Sequence, residues 1–415
     1  MKLRTLGVLA TVAAVAFSAC NQPGASGGTS KGTVKFAIEL PLQGSEKAAS
    51  DPIINGIKLA VKQAGGAAGG YTIEIPQSAV FDDALNGAHD AQTGANNMSK
   101  IVADESIVAV IGPLNSNVGL AQIPISNAAG LPHCSPANTN PDLTKGAPAL
   151  QIRTKPNNYI RVVTTDDVQG PAAAQFIYET LGKKSVYIID DTETFGKGVA
   201  DAFETDFKAR GGTVTKRDAA PKTTQDYVSI MTAAKSGNPE AIYFGGVTAT
   251  GGARILLAAA QVGMGDVPYV GPDGINDGSA ATQDSFLNLA GDAAKNSFSS
   301  LAGIGTFEGK DKFDADYKAE FGIDATGYAA QGYTCAQILI DALGRAGATN
   351  PADMKALREA LRVAMIDTTH TYKTVQGDIT FTAEGDTSQR IVSLYTFDPA
   401  TKDWKFHSQV DYATK

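Results

Sequence analysis

From Val34 onward, short runs of β-branched and apolar residues alternate with stretches in which apolar positions recur every three or four residues. That alternation predicts strands joined by helices, and hence largely parallel sheets with helices on their faces. "VKFAIELPL" reads as the first strand; "YTIEIPQSAVFDD", "IVAVIGP", "SVYIIDD", "AIYFGG" and "VPYVGPDG" read as later ones. In "SDPIINGIKLAVKQAGG", Asp51 is placed to cap a helix and Pro52 to begin it. Ile53, Ile57, Ala60, Val61 and Ala64 then share one face and Gly65 ends it, the pattern of a surface helix covering a sheet. "GKGVADAFETDFKARGG" puts Val199, Ala202, Phe203 and Phe207 on one stripe and stops at Gly211, and "NPADMKALREALRVAM" opens with Asn350 as cap and Pro351 behind it.

Two stretches share one layout. "IVAVIGPLNSNVGLAQIPISNAAGLP" and "AIYFGGVTATGGARILLAAAQVGMGDVP" both run strand, Gly-containing turn with Ser, Thr or Asn, helix, Gly, then a Pro-led strand. The strands that follow lead into "PHCSPANTNPDLT" and "PYVGPDGINDGS", each ending in polar or acidic residues. Ligands of doubly wound sheets sit beyond the carboxyl ends of the strands, so two such units facing one another would form a cleft.

The glycine-rich turn of the second unit raises the possibility of a nucleotide site. Gly245, Gly246, Gly251 and Gly252 miss the G-x-G-x-x-G spacing that a pyrophosphate requires, although Asp273 ends the next strand where a ribose-binding acid would lie. There is no phosphate-binding G-x-x-x-x-G-K-[ST], no H-E-x-x-H and no G-x-S-x-G elbow outside the Gly/Ser-rich stretch at 24–32. His89, His133, His370 and His407 are scattered without ligand spacing, so no metal site or cofactor is expected and the chain reads as a non-enzyme. What remains are hydroxyls and main-chain amides at loop-to-helix junctions, suited to a carboxylate, and an acid in the other half, suited to an ammonium. Together they describe a zwitterion site, with local capping by Ser116 and Thr139 as the plainer alternative.

The first residues change the picture of where this happens. Lys2 and Arg4, an apolar run "LGVLATVAAVAFSA" and Cys20 make an export signal over 1–19, too short to be a comfortable permanent span. "FSAC" resembles the lipobox of bacterial lipoproteins, which makes Cys20 the lipid attachment point. Residues 20–32, with "NQPGASGGTSKG", then form a flexible tether. Loss of 1–19 moves the formal charge from −8 to −10, which disfavours nucleic acid as a partner. Only Cys134 and Cys335 then remain, either two buried thiols or one bridge. About 380 remaining residues, in a chain of 43% apolar composition, are more than one core usually organises and predict two domains.

In family order and spacing, "AIELPLQGS", "NGIKLAVKQAGG", "IVAVIGPLNSNVGLA", "SPANTNPDLT", "QGPAAAQFI", "FGKGVADAF", "IYFGG" and "GPDGIND" resemble the type I periplasmic solute-binding proteins of ABC importers, in the leucine/isoleucine/valine- and amide-binding group. The resemblance implies an α/β fold of two doubly wound lobes joined by a three-strand hinge, with lobe one at 33–156 and 297–376 and lobe two at 157–296 and 377–415. It implies that Ser116, Ala137 and Thr139 hold an amino-acid carboxylate through hydroxyls and main-chain N–H groups, that Asp273 takes the α-ammonium, and that Phe195 and Tyr328 are aromatic walls, where core packing is the other reading. Val247 and Thr248 would edge the cleft. Asp273 stands where many relatives carry Glu, Val247 where Tyr is common, and Ala49 where an aromatic is frequent, so the pocket is expected to be roomier than a leucine site. The implied partners are an amino-acid-like solute and membrane ABC permease subunits, with the chain held at the outer face of a membrane by its lipid. A ligand sensor of the same fold, reading an amide, a urea-like compound or a short aliphatic acid, is the alternative.

Overall fold

The computed structural model describes residues 30–412; the expected export signal, Cys20 and the expected tether up to residue 29 lie outside the described residues. Two seven-stranded sheets organise the chain. In the first, the strands Tyr71–Glu74, Thr33–Leu40, Ile107–Ile111, His133–Ser135 and Tyr159–Arg161 lie side by side in parallel, with Ala67–Ala68 and Val80–Asp82 added at the edge. In the second, Thr213–Ala219, Ser185–Asp190, Ala241–Gly245, Tyr269–Gly271 and Ser297–Leu301 repeat that parallel order. The hairpin of Ile391–Asp398 and Asp403–Asp411 extends it antiparallel.

Numbered within each set of five, both orders read 2-1-3-4-5, the doubly wound arrangement in which the strand order reverses between strands 1 and 3. Buried apolar strands such as "IVAVI" are sandwiched by helices on both faces, as an all-parallel core requires. The helices Glu46–Gln63, Ala329–Ala348 and Met354–Met365 cover one face of the first sheet through Ile53, Ile57, Leu339 and Leu361; Met98 and Ile101 cover the other. Phe203, Phe207 and Ala173 cover one face of the second sheet, and Met231, Ile255 and Leu256 the other.

The chain passes between the two units three times. Tyr159–Arg161, expected in lobe two, is hydrogen-bonded in the first sheet, and Ser297–Leu301, expected in lobe one, is hydrogen-bonded in the second. The crossings therefore follow these strands: each fifth strand completes its own sheet before the chain leaves.

Several local expectations shift. The helix expected from Asp51 begins at Glu46, because Asp51 pairs with Lys47 one turn earlier and "EKAAS" continues the helix backwards; Pro52 lies inside it. "YTIEIPQSAVFDD" is broken into two strands by Pro76 and a short helical turn at Gln77–Ala79, since proline offers no donor to a ladder. The cap of Met354–Met365 is Asp353, whose carboxylate accepts from Ala356 N at 2.8 Å, whereas Asn350 has a left-handed φ of 52° in the preceding turn.

Cys134 and Cys335 form a disulfide between the His133–Ser135 strand and the Ala329–Ala348 helix, closing a loop across a sequence separation of 201. Chain entropy alone assigns such a loop roughly 5 kcal/mol, and removal of native bridges typically costs about 2–5 kcal/mol. The double substitution Cys134→Ser, Cys335→Ser is accordingly expected to lower unfolding free energy by about 2–5 kcal/mol. Denaturant titration of the two proteins checks this, and coincident midpoints would show that the bridge constrains nothing.

Candidate functional site

The loops that leave the strand ends at both order reversals converge on one cavity with an empty volume of about 590 Å³, its mouth included. Ser116, Ala137, Thr139, Phe195, Val247, Asp273 and Tyr328 all line it, as do Ala49 and Thr248. The structure thus brings together every residue that the sequence singles out for the ligand.

One wall comes from the first unit. Ser116 opens the helix Ser116–Ala128 directly after the strand Ile107–Ile111, and its Oγ accepts from Asn140 N at 3.3 Å. Ser135 Oγ accepts from Ala137 N at 3.2 Å and Asn138 N at 2.9 Å, so the Ala137 amide expected to face a carboxylate already has a partner in the protein. Thr139 is buried with its Oγ1 unpartnered.

This wall is held by Arg161, which is wholly buried. Its guanidinium donates to Asn138 O (3.2 Å), Asn140 O (2.7 Å), Thr144 Oγ1 and Asp386 Oδ1 (2.7 Å). Asn138 in turn donates to Pro113 O at 3.2 Å and Leu114 O at 2.9 Å, tying the two lining loops of the first sheet together.

The opposite wall comes from the second unit. Asp273 follows the strand Tyr269–Gly271 and accepts from Gln169 Nε2 at 2.6 Å and from the Tyr328 hydroxyl at 2.8 Å. Tyr328, expected as an aromatic wall, thus also donates a hydrogen bond. Burial pushes Asp273 up to about 6 despite these donors. Asp166 behind it is pushed well above the ordinary carboxylate range by burial and by the Asp273 charge, and Thr139 lies near it without completing a hydrogen bond. Phe195 and Val247, packed against Val199 and Ala249, supply part of the apolar lining, with Ala49, Pro52 and Leu114.

Four polar residues of the cavity escape the sequence reading: Glu46, Asn115, Asn276 and Asp277. Glu46 starts the Glu46–Gln63 helix and accepts from Asn115 Nδ2 at 2.7 Å and from His89 N at 2.6 Å, with His89 Nδ1 at 2.8 Å. Burial alone would raise Glu46, but the paired His89 holds it below its ordinary value. Asp277, four residues after Asp273, accepts from Phe286 N at 2.8 Å, and burial pushes it up to about 7. The "GPDGIND" run was the available signal for it; Glu46 lay hidden because the helix was expected to start later.

The glycine-rich turn serves protein packing. A Cβ on Gly245 would lie 2.3 Å from Gly196 O, and Gly251, at φ 137°, approaches the Tyr227 hydroxyl. Beneath the turn sits the buried carboxylate of Asp191, which accepts from Thr250 Oγ1 at 2.7 Å. A fixed anion under the turn is the wrong partner for phosphates.

Among known proteins, the model of the "Periplasmic binding protein" family matches residues 33–402. The Leu/Ile/Val-binding protein BraC3 of Rhizobium johnstonii is 28% identical over 365 residues, 88% of this chain and 92% of that protein. A crystal structure of a leucine-binding protein, LivK of Thermotoga maritima, superposes with a TM-score of 0.77 at 25% identity, covering 92% of this chain and all of that one. The branched-chain amino-acid transporter substrate-binding protein LivJ of Streptococcus pneumoniae, solved with isoleucine, gives 0.74 at 22% identity, over 91% of this chain and 99% of that one.

The buried acids make stability depend on pH in an uncommon direction. Burial raises Glu39 to about 7 and Asp191 to about 6, alongside Asp273 and Asp277. Each binds more protons folded than unfolded between about pH 4 and its folded value, so stability rises as pH falls through that window. His89, raised overall by Glu46, acts in the same sense; His133, lowered to about 3 by burial, opposes it. The ligand-free protein should therefore melt at a higher temperature at pH 5 than at pH 8. Calorimetry at the two values tests this, and a lower melting temperature at pH 5 would contradict it.

Proposed function

The chain belongs to the periplasmic binding protein family, and from that membership we propose that it captures an amino acid between two lobes and delivers it to an ABC permease. The carrying observation is the distribution of one cavity's polar groups over two separately built walls. Ser116 at a helix start and Thr139 in the loop beside it offer hydroxyls on one side, and Asp273 offers a carboxylate on the other. A helix N-terminus favours the acid group and a fixed carboxylate favours the amine, so a zwitterion contacts both walls only when they are close together.

That division makes the cargo act as a latch. Shifting an open-to-closed equilibrium from 1:99 to 99:1 takes about 10⁴-fold tighter binding to the closed state, or about 5.5 kcal/mol, which contacts to both lobes supply. The three crossings between the sheets are the hinge in this reading. Export, removal of 1–19 and a lipid on Cys20 place the capture step outside the cytoplasmic membrane. Nothing is chemically transformed. Branched-chain or related amino acids are the cargo class that the relatives' names suggest, and Phe195, Val247 and Ala49 provide apolar room for a side chain.

Asp273→Ala should weaken binding of the best amino-acid ligand by about 2–5 kcal/mol, because it leaves a buried ammonium without its partner. Isothermal titration calorimetry after a thermal-shift screen of amino acids measures this. Saturating ligand at a hundredfold excess over Kd should stabilise the wild type by about 2.7 kcal/mol. Unaltered affinity in the variant would reject Asp273 as the ammonium site. A screen in which no amino acid shifts the melting temperature would reject amino-acid capture altogether.

A further inference from the structure

We propose that the cargo is an amino acid whose side chain ends in a cationic hydrogen-bond donor, an ammonium group, received in the cavity by Asp277. The inference rests on the amino-acid reading above and departs from the branched-chain class that the relatives' names suggest.

The first ground is charge. The cavity is lined by three carboxylates, Glu46, Asp273 and Asp277, and by no lysine, arginine or histidine. Glu46 is matched from behind by His89, which its neighbour keeps protonated beyond the ordinary histidine range. Asp273 is matched by the α-ammonium. Asp277 has no cation, and the nearest charge on the opposite wall is Glu46, which repels it across the cleft. A zwitterion is neutral overall, so it leaves Asp277 without a positive charge to match it.

The second ground is hydrogen bonding. Asp277 is 3% exposed, yet only one of its carboxylate oxygens is used, by Phe286 N. Its Oδ2 is unpartnered; the Thr248 hydroxyl is close enough to favour the ionised form but donates to Gly274 O. Asn115 Oδ1 and Asn276 Nδ2, on opposite walls of the same cavity, are also buried and unpartnered. The open valences are thus two acceptors and one donor. Buried polar groups go unpaired at a cost, and an aliphatic side-chain end would leave all three so. An ammonium, with three donors and a charge, satisfies both acceptors and the deficit of positive charge together.

This also accounts for the small residues nearby. Ala49 and Val247 leave room for a methylene stem to run past Phe195 toward Asp277, where a larger aromatic would block it.

The test uses isosteric pairs on the mature protein at pH 7.5: ornithine against norleucine, and 2,4-diaminobutyrate against norvaline, with leucine and glutamine added, all by calorimetric titration. In at least one pair the amine should bind about 10-fold or more tightly than its isostere. Asp277→Asn keeps an oxygen for Phe286 N and should bring that pair within about twofold, without lowering the melting temperature. Norleucine, norvaline or leucine binding as tightly as the amines in the wild type would overturn the inference while amino-acid capture stands, and needs no variant to read. Glutamine surpassing both amines would overturn the cationic assignment, as would a preference that survives Asp277→Asn. If no amino acid binds at all, the underlying reading fails and takes this one with it.

Discussion

The wall of the cleft built by the first sheet depends on one buried guanidinium. Arg161 sits at the end of the fifth strand, without solvent, and spreads its donors over two main-chain carbonyls, a threonine hydroxyl and the Asp386 carboxylate. An unpaired charge in that position would be prohibitive, and a partly paired one strongly destabilising. The loop at 138–140 therefore has little freedom: its carbonyls must face the arginine. That orientation puts Thr139 and Ala137 toward the cavity and sets Asn138 to bind the neighbouring loop at Pro113 and Leu114. Asp386 belongs to the last segment returning toward the second sheet, so the same group joins the cleft wall to a crossing between the units.

Repetition of one strand order in both sheets gives the cavity its composition. Each order reversal leaves a crevice at the carboxyl ends of the strands, and the two crevices face each other. The loop after the Tyr269–Gly271 strand delivers Asp273 and Asp277 from the second unit, while the start of the Glu46–Gln63 helix delivers Glu46 from the first. Burial of so many acids with few cations is unfavourable in the unliganded chain, and it makes the site selective for positive charge in whatever fills it.

Much of this was legible in the residues. Parallel sheets, the paired strand-turn-helix units and the candidacy of Ser116, Thr139 and Asp273 follow from periodicity and turn chemistry, while Phe195, Val247 and Tyr328 were implied by the family resemblance. What was hidden depends on long-range pairing. The fifth strand of each sheet is short, and only its neighbour decides which unit it joins, as Tyr159–Arg161 and Ser297–Leu301 demonstrate. Pro52 read as a helix start because proline suits the first turn, whereas the Lys47–Asp51 pair and packing against the Ala329–Ala348 helix carry the helix through it. Whether Cys134 and Cys335 were joined could not be read from spacing, since a strand and a helix 201 residues apart had first to be brought together. Glu46 and Asp277 are ordinary acids in sequence; their burial is what distinguishes them.

The Glu46–Gln63 helix, which lines the cavity, and the Ala329–Ala348 helix, which begins directly after the lining residue Tyr328, touch backbone to backbone. A Cβ on Gly56 would lie 2.1 Å from Ala329 O, and one on Gly332 2.5 Å from Ile53 O. Neither glycine can acquire even a methyl group without prising the pair apart. Divergence of this scaffold toward other cargoes is thereby channelled: drift in the relative pose of these helices is closed to it, and new preferences must arise through exchange of the few side chains, such as Ala49 and Val247, that fringe the void.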